Sequence, residues 1–174
     1  SQHELSLFNQ LADNDPFILI TPEATPELGN LNVWNQQSNP DRANDVGFIN
    51  ALIDVTAQDY NIDLDRVYVA GSSNGAFMAL EITCKLSDRI AAAAAVKGYM
   101  TPAQIENCNP NQPTSILQIH GTQDPLVPYD GVDATLQFWI TSNQINGIPS
   151  TENLPDRDPN NGNTAIRTRY AEGI

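Results

Sequence analysis

The amino-acid sequence predicts an α/β domain, a mostly parallel sheet with helices on both faces. Three observations carry this. The apolar runs at 67–70, 90–96 and 115–119 are continuous rather than alternating, as in strands covered on both sides. Stretches with three-and-four apolar spacing separate them, so strands and helices alternate along the chain. A length of 174 residues with 40% hydrophobic content suits one folded domain, and no break in composition marks a second, so 1–174 reads as a single domain.

The elements follow in order. Leu5, Phe8, Leu11 and Ala12 recur at helical spacing, and the apolar run 17–20, ended by Thr21 and Pro22, reads as a buried strand. Residues 22–44 carry three prolines and many Asn and Gln around Trp34, which is loop chemistry. Val46, Ile49, Leu52, Ile53, Ala57 and Tyr60 form one face of a helix whose positive end is served by Asn44 and Asp45. The run 67–70 is a strand ending at Gly71. Residues 74–86 are apolar on more than one side, as in a deeply buried helix. Strands at 90–96 and 115–119 follow, then a helix marked by Val132, Leu136, Trp139 and Ile140. Residues 145–164 are rich in Asn, Asp, Pro and Gly and read as an exposed loop before a last strand at 165–170.

Charge narrows the function. Twenty-one acids against eight Lys and Arg give a net charge of −13, which leaves little to neutralise a phosphate backbone or bind an anionic membrane. Nucleic acid and membrane are therefore not expected partners. No apolar run approaches the roughly 20 residues of a membrane-spanning helix. Cys84 and Cys108 could close a loop worth about 3 kcal/mol or remain two thiols, and the residues alone favour neither. Lacking histidines at ligand spacing, they do not make a zinc site, and no metal or organic cofactor is implied.

Gly71-Ser72-Ser73-Asn74-Gly75 satisfies G-x-S-x-G between a strand and the start of a helix, the setting a nucleophile elbow requires. This marks the domain as α/β-hydrolase-type. Small residues two before and two after the nucleophile let the backbone reverse, which centres the turn on Ser73. Asn74 follows it and offers a backbone N–H to a developing oxyanion at the helix N-terminus. A nucleotide-binding turn fails for want of the third glycine and of a P-loop lysine.

After the strand 115–119 come His120-Gly121-Thr122-Gln123-Asp124 and Val127-Pro128-Tyr129. Asp124 lies at the edge of a parallel sheet where ligands bind and is the expected acid of a triad, with Asp130 and Asp133 as weaker alternatives. The base is the gap. In this fold the order is serine, acid, then histidine, whereas His120 precedes Asp124 and reads as a structural anchor. His3 lies near the N-terminus with nothing to point it at the elbow.

Taken together, 45–49, Arg66 through Met78, and the His120–Tyr129 segment resemble the polyhydroxybutyrate depolymerase and feruloyl esterase family. The resemblance implies a secreted or periplasmic serine esterase using Ser73 and Asp124, and a Cys84–Cys108 disulfide. In that family an earlier strand with its His-Gly loop supplies the second oxyanion donor, and a Gly-His segment after the last strand supplies the base. Neither is in these 174 residues, so the chain is expected to be a domain truncated at both ends, with uncovered sheet edges open to self-association.

The function expected is hydrolysis of a small ester, a polyester or a plant cell-wall ester through an acyl-enzyme, with Trp34 either stacking on substrate or, as a solitary loop tryptophan more often does, anchoring the packing. The alternative is a catalytically incomplete hydrolase or a non-catalytic binding domain. Supply of His3 or a missing strand by a second copy is a third possibility.

Overall fold

The computed structural model describes residues 7–28 and 31–173; His3 and Leu5 lie outside them. The chain divides into two compact units, Ser1–Trp34 and Asn35–Ile174.

In the first unit, helix α1 spans Phe8–Ala12, and strand β1 (Pro26–Leu28) pairs antiparallel with β2 (Leu31–Asn32). Part of the expected loop 22–44 is thus a short hairpin. The run 17–20 is neither strand nor buried: Phe17, Ile18 and Ile20 are each more than two-fifths exposed. An apolar run specifies a wish to be covered, but strand formation also needs a neighbour to take its N–H and C=O groups.

The second unit carries the parallel sheet. Helix α2 (Asp45–Asp59) begins where the Asn44 side chain accepts the Gly47 N–H at 3.0 Å, and it buries Ile49, Ile53 and Thr56 along one stripe. Strand β3 (Tyr68–Ser72) leads into helix α3 (Asn74–Lys85), whose Ala76, Met78, Ala79, Leu80, Ile82 and Cys84 are buried, matching the expectation of a deeply packed helix. Strand β4 (Ala92–Val96), helix α4 (Pro102–Asn107), strand β5 (Ser115–Ile119) and helix α5 (Val132–Ser142) complete the alternation. Helix α4 was not anticipated, although Thr101-Pro102-Ala103-Gln104 is a capping box with proline in the first turn.

The sheet order is β3-β4-β5, all parallel, in the register Ser72↔Val96↔Ile119. Alanines throughout β4 let α3 approach closely, and Ala95, Ala76, Leu80, Met100 and Trp139 form the core. Pleating sends Val69, Ala93, Ala95 and Ile116 to the helix-covered face. The opposite face presents Tyr68, Leu117 and Ile119, which are 61%, 56% and 51% exposed. Among the described residues of this unit, helices therefore cover one face. Parallel strands laid down in sequential order, with crossovers of one hand, return every connecting helix to the same side. The same residues leave the outer edges of β3 and β5 unpaired.

Strand β6 (Ser150–Asn153) pairs antiparallel with β7 (Ile166–Arg169), joined by the Arg167–Glu152 ion pair. The last strand is where the sequence put it, but its partner lies in the stretch expected to be loop. Every residue of β6 is exposed, so no apolar alternation marked it.

A disulfide joins Cys84 at the end of α3 to Cys108 at the end of α4. No helix among the described residues is long and apolar enough to cross a membrane.

Candidate active site

The site lies at the C-terminal edge of the three-stranded sheet. Beyond the last paired residues, Ser73 N–H donates to Val96 O and Lys97 N–H donates to Ile119 O, both at 2.9 Å. Ser73, Lys97 and His120 are thus the first residues past three adjacent strands, aligned across one edge.

Ser73 holds φ 53°, ψ −124°, a backbone region that non-glycine residues rarely occupy and that stores roughly 1–3 kcal/mol. The neighbours impose it. A Cβ on Gly71 would sit 2.0 Å from the Gly75 carbonyl oxygen, so the chain can reverse here only with glycine at 71. On the far side, the Ser73 carbonyl accepts the Ala76 and Phe77 N–H groups at 2.8 and 3.2 Å and starts α3. The Ser73 side chain is exposed and makes no capping bond to its own helix, although N-terminal serines ordinarily do. This is the geometry of a presented nucleophile rather than a cap. Asn74 occupies the first helical position behind it.

Asp124 is half-buried on the loop after β5. Its Oδ1 accepts the N–H groups of Leu126 at 2.9 Å and Val127 at 3.0 Å. The bond from Val127, then that from Leu126, holds the carboxyl below the usual carboxylate range; the charges of His120 and Lys97 act in the same direction, and burial opposes them. Asp124 is therefore a fixed anion whose second oxygen, Oδ2, accepts nothing from the described residues.

His120 is committed elsewhere. Its Nε2 lies 2.7 Å from the Val127 carbonyl oxygen, and because a carbonyl only accepts, Nε2 carries the proton. Nδ1 is buried with no partner in the described structure. The ring packs between Tyr99 and Tyr129, with centroids 6.4 and 5.8 Å away. Neither nitrogen bonds to Ser73 or Asp124, and His120 ties the strand end to the loop at Val127.

Trp34 is a half-buried residue of the first unit. Among the described residues no cluster of His, Cys, Asp and Glu could hold a metal ion. Two polar residues that contact the elbow helix went unread in the sequence: Gln36, whose Oε1 accepts the Asn74 side-chain N–H at 2.7 Å, and Gln104, whose Nε2 donates to Phe77 O at 3.0 Å. The capping box could have flagged Gln104. Nothing local flags Gln36.

A strained serine between a parallel strand and a buried helix, with a carboxylate on the loop two strands away, defines an α/β-hydrolase-type site. Residues 15–161 match the phospholipase/carboxylesterase family, and the chain belongs to that family. Across 91% of its length it is 26% identical to the bifunctional acetylxylan esterase/xylanase XynS20E of Neocallimastix patriciarum, covering 22% of that protein. It is 35% identical to feruloyl esterase B of Piromyces equi over 56% of the chain and 19% of the relative. Against feruloyl esterase C of Emericella nidulans it is 31% identical over 62% of the chain and 38% of the relative. The chain thus spans well under half the length of these curated relatives. Among solved structures, esterase PE8 superposes with a TM-score of 0.59 at 21% identity, covering 79% of this chain and 70% of that one, a likeness of fold.

Proposed function

We propose that this chain is the nucleophile-and-acid part of a serine carboxylic ester hydrolase acting on plant cell-wall esters, feruloyl or acetyl, through an acyl-enzyme. The observation that carries the reading is Ser73 itself: exposed, strained, and set at a helix N-terminus on the same sheet edge as the Asp124 loop. Ser73 Oγ attacks the acyl carbon while its proton passes to a base. The tetrahedral oxyanion is met by the Asn74 backbone N–H and the helix dipole. The C–O bond to the alcohol breaks as the alcohol takes the proton, and water then releases the acid. Asp124 orients the base.

The relatives act on feruloyl and acetylxylan esters by name, which supports that substrate class over polyhydroxyalkanoate oligomers. The Cys84–Cys108 disulfide supports an oxidising compartment and hence a secreted or periplasmic protein. The bare sheet edges support self-association.

A second reading, a domain that binds an ester without turning it over, is favoured by the engagement of His120 with Val127. Turnover of a chromogenic acetyl ester and of methyl ferulate, with Ser73→Ala run alongside, separates the two. Hydrolysis that disappears in Ser73→Ala is expected. Rates equal in both proteins would leave the binding reading.

A further inference from the structure

One stripe of the elbow helix is held by a buried polar network that reaches back to the nucleophile's neighbour. At its centre, Gln104 is 2% exposed, and its Oε1 accepts the Thr101 N–H at 2.9 Å, which fixes the orientation of the amide. Gln104 Nε2 lies 2.8 Å from Gln36 O, 3.0 Å from Phe77 O and 3.3 Å from Glu81 Oε2. Its two hydrogens go first to the two carbonyls. Glu81, 3% exposed, accepts the Ser38 hydroxyl on Oε1 at 2.6 Å. Segment 36–38 is thereby fastened over α3 at Phe77 through Gln104 and at Glu81 through Ser38, and it ends in Gln36 Oε1 accepting the Asn74 side-chain N–H at 2.7 Å. The segment is itself anchored. Asn35, 2% exposed, donates its N–H to Asp45 Oδ2 at 2.6 Å, and its side-chain amide spans Asn39 O and Ala43 O, each at 2.8 Å.

Its buried members, Asn35, Glu81 and Gln104, hold the segment in one arrangement, because a bond broken there leaves a buried polar group unpaired, and the part-buried Gln36 and Asn74 continue it toward the surface. Its terminal member is the side chain of Asn74, whose backbone N–H is the oxyanion donor in the proposed reaction. Such donors act by standing at the right place before charge develops.

We infer that Gln36 is a positioning residue for catalysis: by holding the Asn74 side chain it sets the Ser73–Asn74 peptide, and with it the oxyanion N–H. This rests on the hydrolase reading. The role is specific to the transition state, so substrate binding should be little affected.

The test compares wild type, Gln36→Ala and Gln36→Glu on a chromogenic acetyl ester, and follows the Asn74 side-chain amide by NMR, assigned through Asn74→Asp. Gln36→Ala is expected to lower kcat about tenfold with KM within about twofold, and to speed exchange of the Asn74 amide protons. Gln36→Glu keeps an acceptor and is expected to restore both. Ser73-dependent turnover unchanged by Gln36→Ala, or an equal loss in the Ala and Glu variants, overturns the inference while leaving the hydrolase reading in place. Absence of Ser73-dependent turnover in the wild type overturns the hydrolase reading, and the catalytic role of Gln36 with it.

Discussion

At the end of β3 the chain is driven through φ 53° at Ser73 by steric necessity, with the Gly75 carbonyl blocking any side chain at position 71. At the end of β5 Asp124 is held by two backbone N–H groups on a loop whose residues 121–123 are exposed. One half of this sheet edge is built by excluded volume and the other by electrostatics. Sterically imposed geometry does not titrate and tolerates no added atom, whereas a hydrogen-bonded anion tolerates an isostere in shape but not in charge, and it responds to pH.

The largest expected effect is on the steric half. Gly71→Ala should cost several kcal/mol by forcing the Cβ against the Gly75 carbonyl, with loss of Ser73 reactivity, seen as a collapsed thermal transition. A variant that melts within a degree of wild type would show that the turn is not sterically imposed. On the electrostatic half, Asp124→Asn keeps an oxygen for the Leu126 and Val127 N–H groups but removes the charge, so kcat should fall about 10⁴-fold while the fold survives.

The pH dependence of stability separates the halves further. The folded Asp124 carboxyl titrates below its ordinary range, so its contribution is fully present above the ordinary carboxylate pKa and is lost as pH falls through the lower, folded value. Wild type should therefore exceed Asp124→Asn in Tm at neutral pH, with the gap closing in acid below about pH 4. A gap constant with pH would mean that the charge does not matter to the loop.

Smaller effects follow. Ser73→Gly removes the strain and should raise stability by about 1 kcal/mol as measured by denaturant titration. A destabilised Ser73→Gly would argue against stored strain at the elbow. His120→Gln should cost about 1 kcal/mol for the bond to Val127 and leave far more ester hydrolysis than Asp124→Asn does. If its rate fell as far as that of Asp124→Asn, His120 would have to be returned to the reaction itself.

The same contrast explains what could be read from the sequence. The turn at Ser73 was legible because Gly71, Ser73 and Gly75 encode a steric requirement within five residues, and the position of Asp124 beyond a strand end because the apolar run 115–119 marks that strand. Helices α2 and α5 announced themselves by the spacing of Ile49 and Ile53 and of Val132 and Trp139, and α3 by apolar residues on more than one face, Phe77, Met78, Leu80 and Ile82. What escaped depends on partners far along the chain. The run 17–20 has the composition of a strand but no strand beside it among the described residues, and the polar β6 is a strand only because Ile166–Arg169 pairs with it. Among the described residues of the second unit, the one-sided covering of the sheet follows from the order β3-β4-β5, which alternation alone does not encode. Gln36 contacts Asn74 across 38 positions of sequence, and although Asn74 lies in the elbow motif, nothing local marks Gln36.

The most direct test of the central claim, that Ser73 is a nucleophile, is an intact-mass spectrum after exposure to a fluorophosphonate, with Ser73→Ala treated in parallel. One adduct on the wild-type protein and none on Ser73→Ala is the expected result. A wild-type protein that takes up no adduct, or a Ser73→Ala protein labelled to the same extent, would contradict it.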